Sequence, residues 1–243
     1  MSDTLGKPIM SEQFPLQFNY NAEQSFTSFY TTCNREAVKH LTDIANNRGE
    51  HQLFLWGEKG TGKSHLLHAC CQEAHQNKLT AFYLNLPVND LPDTSILEGL
   101  DNFDIICIDN LQHCCGHKAW EMALFNFYNR YRDNNKHLVL SANVRPNDLK
   151  LQLPDLITRF NWGLTLKLQE LSDDDMIAAF TCKAKYLGLE ISPKVGEFIQ
   201  KNYTHNLPAL WDLLPKLEQA TLVAKRKLSV PFVKQILAEQ QPA

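Results

Sequence analysis

Short apolar runs alternate with longer stretches of helical periodicity through the first two thirds of the chain, and beyond them only the helical period continues. Residues 52–56, 80–84, 104–108, 137–141 and 164–168 read as five strands, and the third is apolar enough to be buried on both faces. Residues 63–76 read as a helix. Residues 118–132 read as an amphipathic one, with Met122, Leu124 or Phe125, and Tyr128 or Tyr131 expected on its inner face. An earlier helix over 36–46 follows an aromatic opening at Phe26, Phe29 and Tyr30. Such β/α alternation implies a parallel sheet with covering helices. After residue 168 the strands stop, and 172–187, 193–203, 207–225 and 230–239 read as four helices. Ser172 with Asp173, Asp174 and Asp175 behind it makes a good N-cap and first turn, Gly188 suits a C-cap, and Ser192-Pro193 opens the next helix. The expected organisation is a polar flexible tail over 1–24, an α/β domain over 25–169 and a small all-α lid domain over 170–243, with no internal repeat.

Composition narrows the class. With 243 residues and a net charge of −3, the chain lacks the basic balance of a dedicated DNA-binding domain. Its longest basic run, Lys225-Arg226-Lys227, suits a solvated helix end. The seven cysteines are odd in number and include two adjacent pairs, which fits reduced thiols in the cytoplasm better than a disulfide framework. No signal peptide is expected, and no run approaches the ~20 apolar residues of a membrane span.

The chemistry is concentrated after the first strand. Gly57-Glu58-Lys59-Gly60-Thr61-Gly62-Lys63-Ser64 matches G-x-x-x-x-G-K-[ST] at every position, with a strand before it and a helix after it. Glycines let the backbone N–H groups curl toward phosphates, and the helix N-terminus adds partial positive charge. Lys63 is expected to reach the β- and γ-phosphates of ATP or ADP, and Ser64 to ligate Mg²⁺. Lys59, Gly60, Thr61, Gly62 and His65 complete the expected nucleotide-binding set. Asp109, at the tip of the third strand, is the expected second Mg²⁺ group. Asn110 follows it where many hydrolytic P-loop enzymes carry a carboxylate. An amide orients water but cannot take its proton, so weak hydrolysis at this site is expected. Asn143, just past the fourth strand, is a candidate for the γ-phosphate or the lytic water.

The P-loop, Asp109-Asn110, Asn143 and the helical tail together resemble the AAA+ ATPases, and over residues 25–240 the DnaA-type initiator branch. Residues 57–68 are close to that branch's P-loop, residues 153–160 (LPDLITRF) to its arginine-finger segment, and Phe26-Thr27-Ser28-Phe29 to its start. Within the branch, Cys107-Ile108-Asp109-Asn110, residues 153–163 and residues 227–237 look like the Hda-type regulatory inactivators. The initiator's C-terminal DNA-binding domain is expected to be missing. The resemblance implies a protein that sits on the DNA-loaded sliding clamp and stimulates hydrolysis of initiator-bound ATP, preventing over-initiation. It implies contact with DNA mainly through the clamp, self-association, and a bacterial cytoplasmic location near the nucleoid. It makes Arg159 the finger donated in trans, and Gln13, Leu16 and Phe18 the anchors of a clamp-binding hexapeptide in the tail. One departure stands out: Pro208 occupies the place of a lid sensor arginine, which puts lid-to-phosphate coupling in doubt.

Other signals are weaker. His113-Cys114-Cys115-x-His117 has poor zinc spacing, because adjacent cysteines chelate one ion badly. Cys70-Cys71 and the stripe of Leu210, Trp211 and Leu214 are expected to be core. The competing functional readings are an ATP-hydrolysing helicase loader of the same AAA+ group, a truncated initiator that binds origin DNA, and a metabolic kinase. Asn110 and the clamp-like tail count against the first, the missing DNA-binding domain against the second, and the absence of a second substrate site against the third.

Overall fold

The computed structural model describes residues 24–132, 136–202 and 207–238. Five parallel strands form one sheet in the order β2-β3-β4-β1-β5: β1 Gln52–Trp56, β2 Ala81–Asn85, β3 Ile105–Asp109, β4 His137–Ala142 and β5 Leu164–Lys167. The expected strands are all present. The second and third are displaced by one residue, since the backbone of Thr80 bonds Asp104 and Ile105 just ahead of the ladder.

Neighbouring residues on a strand point to opposite faces, and both faces are buried here. Leu53, Leu55, Ile105, Cys107 and Val139 pack against α1 (Arg35–Ala45) and α2 (Lys63–Gln76). Phe54, Ile106, Ile108, Leu138 and Leu140 pack on the other side against α3 (Lys118–Arg132) and α4 (Pro154–Phe160). Cys70 and Cys71 are core, as expected. The inner face of α3 is built from Trp120, Leu124, Phe127, Tyr128 and Tyr131, whereas Met122, expected inside, is 44% exposed. Residue 122 lies about 200° round the helix from Leu124, so the two cannot share one narrow face.

Four further helices follow the last strand: α5 Asp173–Tyr186, α6 Pro193–Asn202, α7 Leu207–Ala224 and α8 Val230–Ala238. Ser172 caps α5, its side chain accepting from the Asp175 N–H. These helices enclose a core of their own around Phe180, Ile199, Leu213, Leu217 and Val233, with Leu210 and Leu214 buried and Trp211 stacked on Phe180.

A strap formed by residues 24–34 joins α2 to α5. Phe29 packs so closely on Gly62 that a Cβ there would lie 2.5 Å from the ring. On the other side of the strap, Tyr30 donates to Asp175 Oδ1 at 3.0 Å, and Tyr186 donates to the Thr27 carbonyl at 3.0 Å. His65, on the first turn of α2, turns its Nε2 to the Ser25 carbonyl at 2.9 Å and meets Phe29 edge-on. Burial pushes the His65 imidazole down to about 4. It is therefore neutral in the fold and protonated in the unfolded chain between about pH 4 and 6.5, so stability falls as pH drops through that window. At pH 5 this histidine should cost about 2 kcal/mol relative to pH 7. Urea unfolding at the two pH values checks it: the drop in stability should shrink by that amount in His65→Gln.

Candidate functional site

The carboxyl ends of β1, β3 and β4 meet at one edge of the sheet, where ligands of parallel α/β sheets bind. The loop after β1 carries Gly60 and Gly62 at φ 91° and 94°, conformations that a side chain resists. Thr61 stiffens the loop by donating to the Glu58 carbonyl at 2.9 Å. Lys63 is buried, and its Nζ donates to the carbonyls of Gly57 at 2.7 Å and Glu58 at 2.9 Å. Burial pulls its pKa down, while Asp109 and Glu58 oppose the fall. Its ammonium is thus parked on the loop's own carbonyls, at the start of a helix whose first N–H groups lack helical partners. Lys59 is exposed, and Gly57 is buried at the end of β1.

Asp109 has no exposed surface. Ser141 on β4 donates to its Oδ1, and Tyr83 on β2 donates to Oδ2 at 2.8 Å. Burial first, and the Asp109 carboxylate second, hold the Tyr83 phenol in its protonated form. His68 lies against the Tyr83 ring at a centroid separation of 3.8 Å. Tyr83, Asp109 and Ser141 therefore form one cluster, drawn from β2, β3 and β4.

Asn110 has a left-handed backbone, φ 64° and ψ 43°. Its amide is held on both sides, donating to Asn85 Oδ1 at 2.8 Å and accepting from Gln112 at 3.3 Å. Gln112 Oε1 in turn accepts from the backbone N–H of Asn143, which is exposed. Asn143 is thus linked to Asn110 through one side chain. His65, in contrast, faces the strap and not the loop. Nearby, His113 and Cys114 are engaged separately, with the Leu86 and Leu111 carbonyls.

Arg159 lies elsewhere. It sits in the last turn of α4, whose end is tied to the start of β1: Gln52 Nε2 donates to the carbonyls of Arg159 at 3.0 Å and Phe160 at 2.9 Å, and Tyr128 donates to Gln52 Oε1. The P-loop leaves the other end of that five-residue strand, about 13 Å away at 3.3 Å per residue. The Arg159 guanidinium stacks 3.9 Å from the Phe125 ring, with Tyr128 and Trp162 further out at 5.6 and 5.9 Å. One of its terminal nitrogens is buried without a hydrogen-bond partner. Cation and aromatic faces attract, but such a stack leaves the N–H groups at the guanidinium edge open to an anion.

The strap, Tyr83, Ser141 and Gln112 were not expected from the sequence. Ser141 had a signal, as a hydroxyl inside the apolar run His137–Ala142. Tyr83 had none without the strand register, in which β2 lies beside β3 with Asn85 opposite Asp109. Gln13, Leu16 and Phe18 lie outside the described residues, as does the side chain of Pro208, whose backbone is in the first turn of α7.

The model of the bacterial DnaA ATPase domain matches residues 20–167, and that of the Hda lid domain matches residues 173–237. Domain III of the Thermotoga maritima replication initiation protein DnaA superposes with a TM-score of 0.78 at 22% identity, over 90% of this chain and 97% of that one. AMPPCP-bound DnaA from Aquifex aeolicus gives a TM-score of 0.69 at 21% identity, over 84% of this chain and 67% of that one. The Thermotoga maritima RuvB Holliday junction branch migration motor gives 0.61 at 20% identity, over 84% and 67%. At these identities the structural likenesses establish an AAA+ fold. With a DnaA ATPase domain over 148 residues (20–167) and an Hda lid behind it, the chain belongs to the bacterial DnaA ATPase family and has the architecture of its Hda branch.

Proposed function

We propose that this protein is a regulatory inactivator of a DnaA-type initiator. It holds an adenine nucleotide with Mg²⁺ on residues 57–64, docks on the sliding clamp through Gln13, Leu16 and Phe18, and donates Arg159 to the ATP of the initiator. The observation that carries the reading is the joining of the two family matches, a DnaA-type ATPase domain and an Hda lid, in one chain.

The residues present fit a phosphate ligand. A loop with two left-handed glycines, a buried lysine that now bonds only loop carbonyls, and a helix N-terminus converge on one spot. Ser64 and Asp109 supply the hard oxygen donors that suit Mg²⁺. When bound, the cation neutralises charge on the phosphate oxygens. Lys63 binds the β- and γ-phosphates, and Asp109 is held in place by its two hydroxyl donors. Asn110, clamped between Asn85 and Gln112, orients a water without accepting its proton, so the protein's own turnover is slow. The strap supports the nucleotide site from the lid side, a coupling that does not depend on the residue at 208.

Arg159 supports a role in trans because its helix is anchored at the end of β1 away from the protein's own P-loop. The stack on Phe125 holds the guanidinium by its face and leaves its edge for a phosphoryl oxygen. Among the described residues no helix is long and apolar enough to cross a membrane.

Three outcomes are expected. Initiator ATP hydrolysis, assayed with DNA-loaded clamp, should be stimulated by the unmutated protein. Arg159→Ala should return it to background, since a finger is worth roughly 10³–10⁵ in rate. No stimulation by the unmutated protein would move the reading to a helicase-loader-type ATPase. Lys63→Ala should abolish nucleotide binding in calorimetry, and an unchanged affinity would sink the assignment of the loop. Deletion of residues 1–18 should abolish clamp pull-down while the circular dichroism spectrum stays the same; retained clamp binding would refute the hexapeptide assignment.

A further inference from the structure

The Tyr83 hydroxyl stands in contact with Asp109, one of the two groups that the proposed function assigns to Mg²⁺. It donates to Asp109 Oδ2 at 2.8 Å. The ring is fixed in place: its backbone is paired in register with β3, and His68 lies on it at a centroid separation of 3.8 Å. The second carboxylate oxygen is taken by Ser141. Asp109 therefore has a donor on each oxygen although none of its surface is open to solvent. A buried carboxylate otherwise requires a cation or water for that purpose.

A hydroxyl that donates to the carboxylate does with one neutral group what a water of a hydrated divalent cation would do there. Mg²⁺ gives up its ordered waters reluctantly and needs near-octahedral room, so a cation entering here must first displace the tyrosine. Phosphate charge is still met without it, by Lys63 and the loop N–H groups.

Resting on the reading that residues 57–64 hold a nucleotide, we propose that Tyr83 is a specificity-determining residue of that site. Its hydroxyl takes the place of the cation at Asp109, so the protein retains nucleotide nearly independently of Mg²⁺ and binds the cation weakly. This goes with a module that holds nucleotide rather than turning it over.

The test compares the unmutated protein with Tyr83→Phe, which removes one oxygen and keeps the ring. ADP affinity is measured by calorimetry in EDTA and in saturating Mg²⁺, and Mn²⁺ affinity of the ADP complex by electron paramagnetic resonance. The unmutated protein should bind ADP with affinities within about threefold in the two buffers. Tyr83→Phe should bind Mn²⁺ roughly tenfold more tightly, equivalent to about 1.4 kcal/mol, and its ADP affinity should become dependent on Mg²⁺. A variant whose Mn²⁺ affinity is unchanged or weaker overturns the inference. So does an unmutated protein whose ADP binding collapses in EDTA, a measurement that needs no variant to fold. Absence of ADP binding in both buffers overturns the nucleotide reading and this inference with it.

Discussion

A carboxylate with no exposed surface, Asp109, sits where three strands and a helix come together. Leaving an ionised group unpaired in such a place would cost more than most single contacts return, so donors must surround it. They come from the strands on either side, Ser141 from β4 and Tyr83 from β2. The order β2-β3-β4 is thereby tied together at its carboxyl end by polar groups, while the apolar faces hold the rest of its length. A slip of one residue in either neighbour would turn its hydroxyl to the opposite face and strand the charge. The same condition places Ser64 and the P-loop against β3, because α2 covers the face on which Asp109 lies.

Much of this was legible in the sequence, for physical reasons that can be named. The run IICID is buried throughout, so it had to read as an internal parallel strand, and an acid at its end is conspicuous. The loop after β1 declares itself through glycines that the backbone requires. The four late helices kept their bounds to within a few residues because Ser172, Gly188 and Pro193 punctuate them. What stayed hidden depends on register and on helix rotation. Tyr83 looks like any strand aromatic until β2 is set beside β3. His65 follows Ser64 in sequence, but one step along a helix turns it about 100°, toward the strap. Phe127 was missed and Met122 wrongly placed inside, because an apolar side chain alone does not say which stripe of α3 meets the sheet.

The arginine illustrates a different limit. Its segment was recognisable, yet nothing in the linear pattern indicated that Phe125 would lie 3.9 Å from its guanidinium or that Gln52 would fasten its helix to the sheet. Gln52 is a buried amide in an otherwise apolar strand, and all of its polar reach is spent on Tyr128 and the last carbonyls of α4. A short helix with a proline at its first turn and seven residues in all would hold its direction poorly alone. The amide provides that direction.

Strand β1 thus bears a phosphate-binding loop at one end and the anchorage of Arg159 at the other. If both act as proposed, the contact they make is heterologous: the surface that gives is not the surface that receives. Two copies joined through it, or one copy joined to a related partner, cannot be related by a two-fold axis. Each such pair has a sense of direction, with one arginine end and one phosphate end left unmatched. The molecule's polarity along a single strand would then decide which partner is acted upon and which acts.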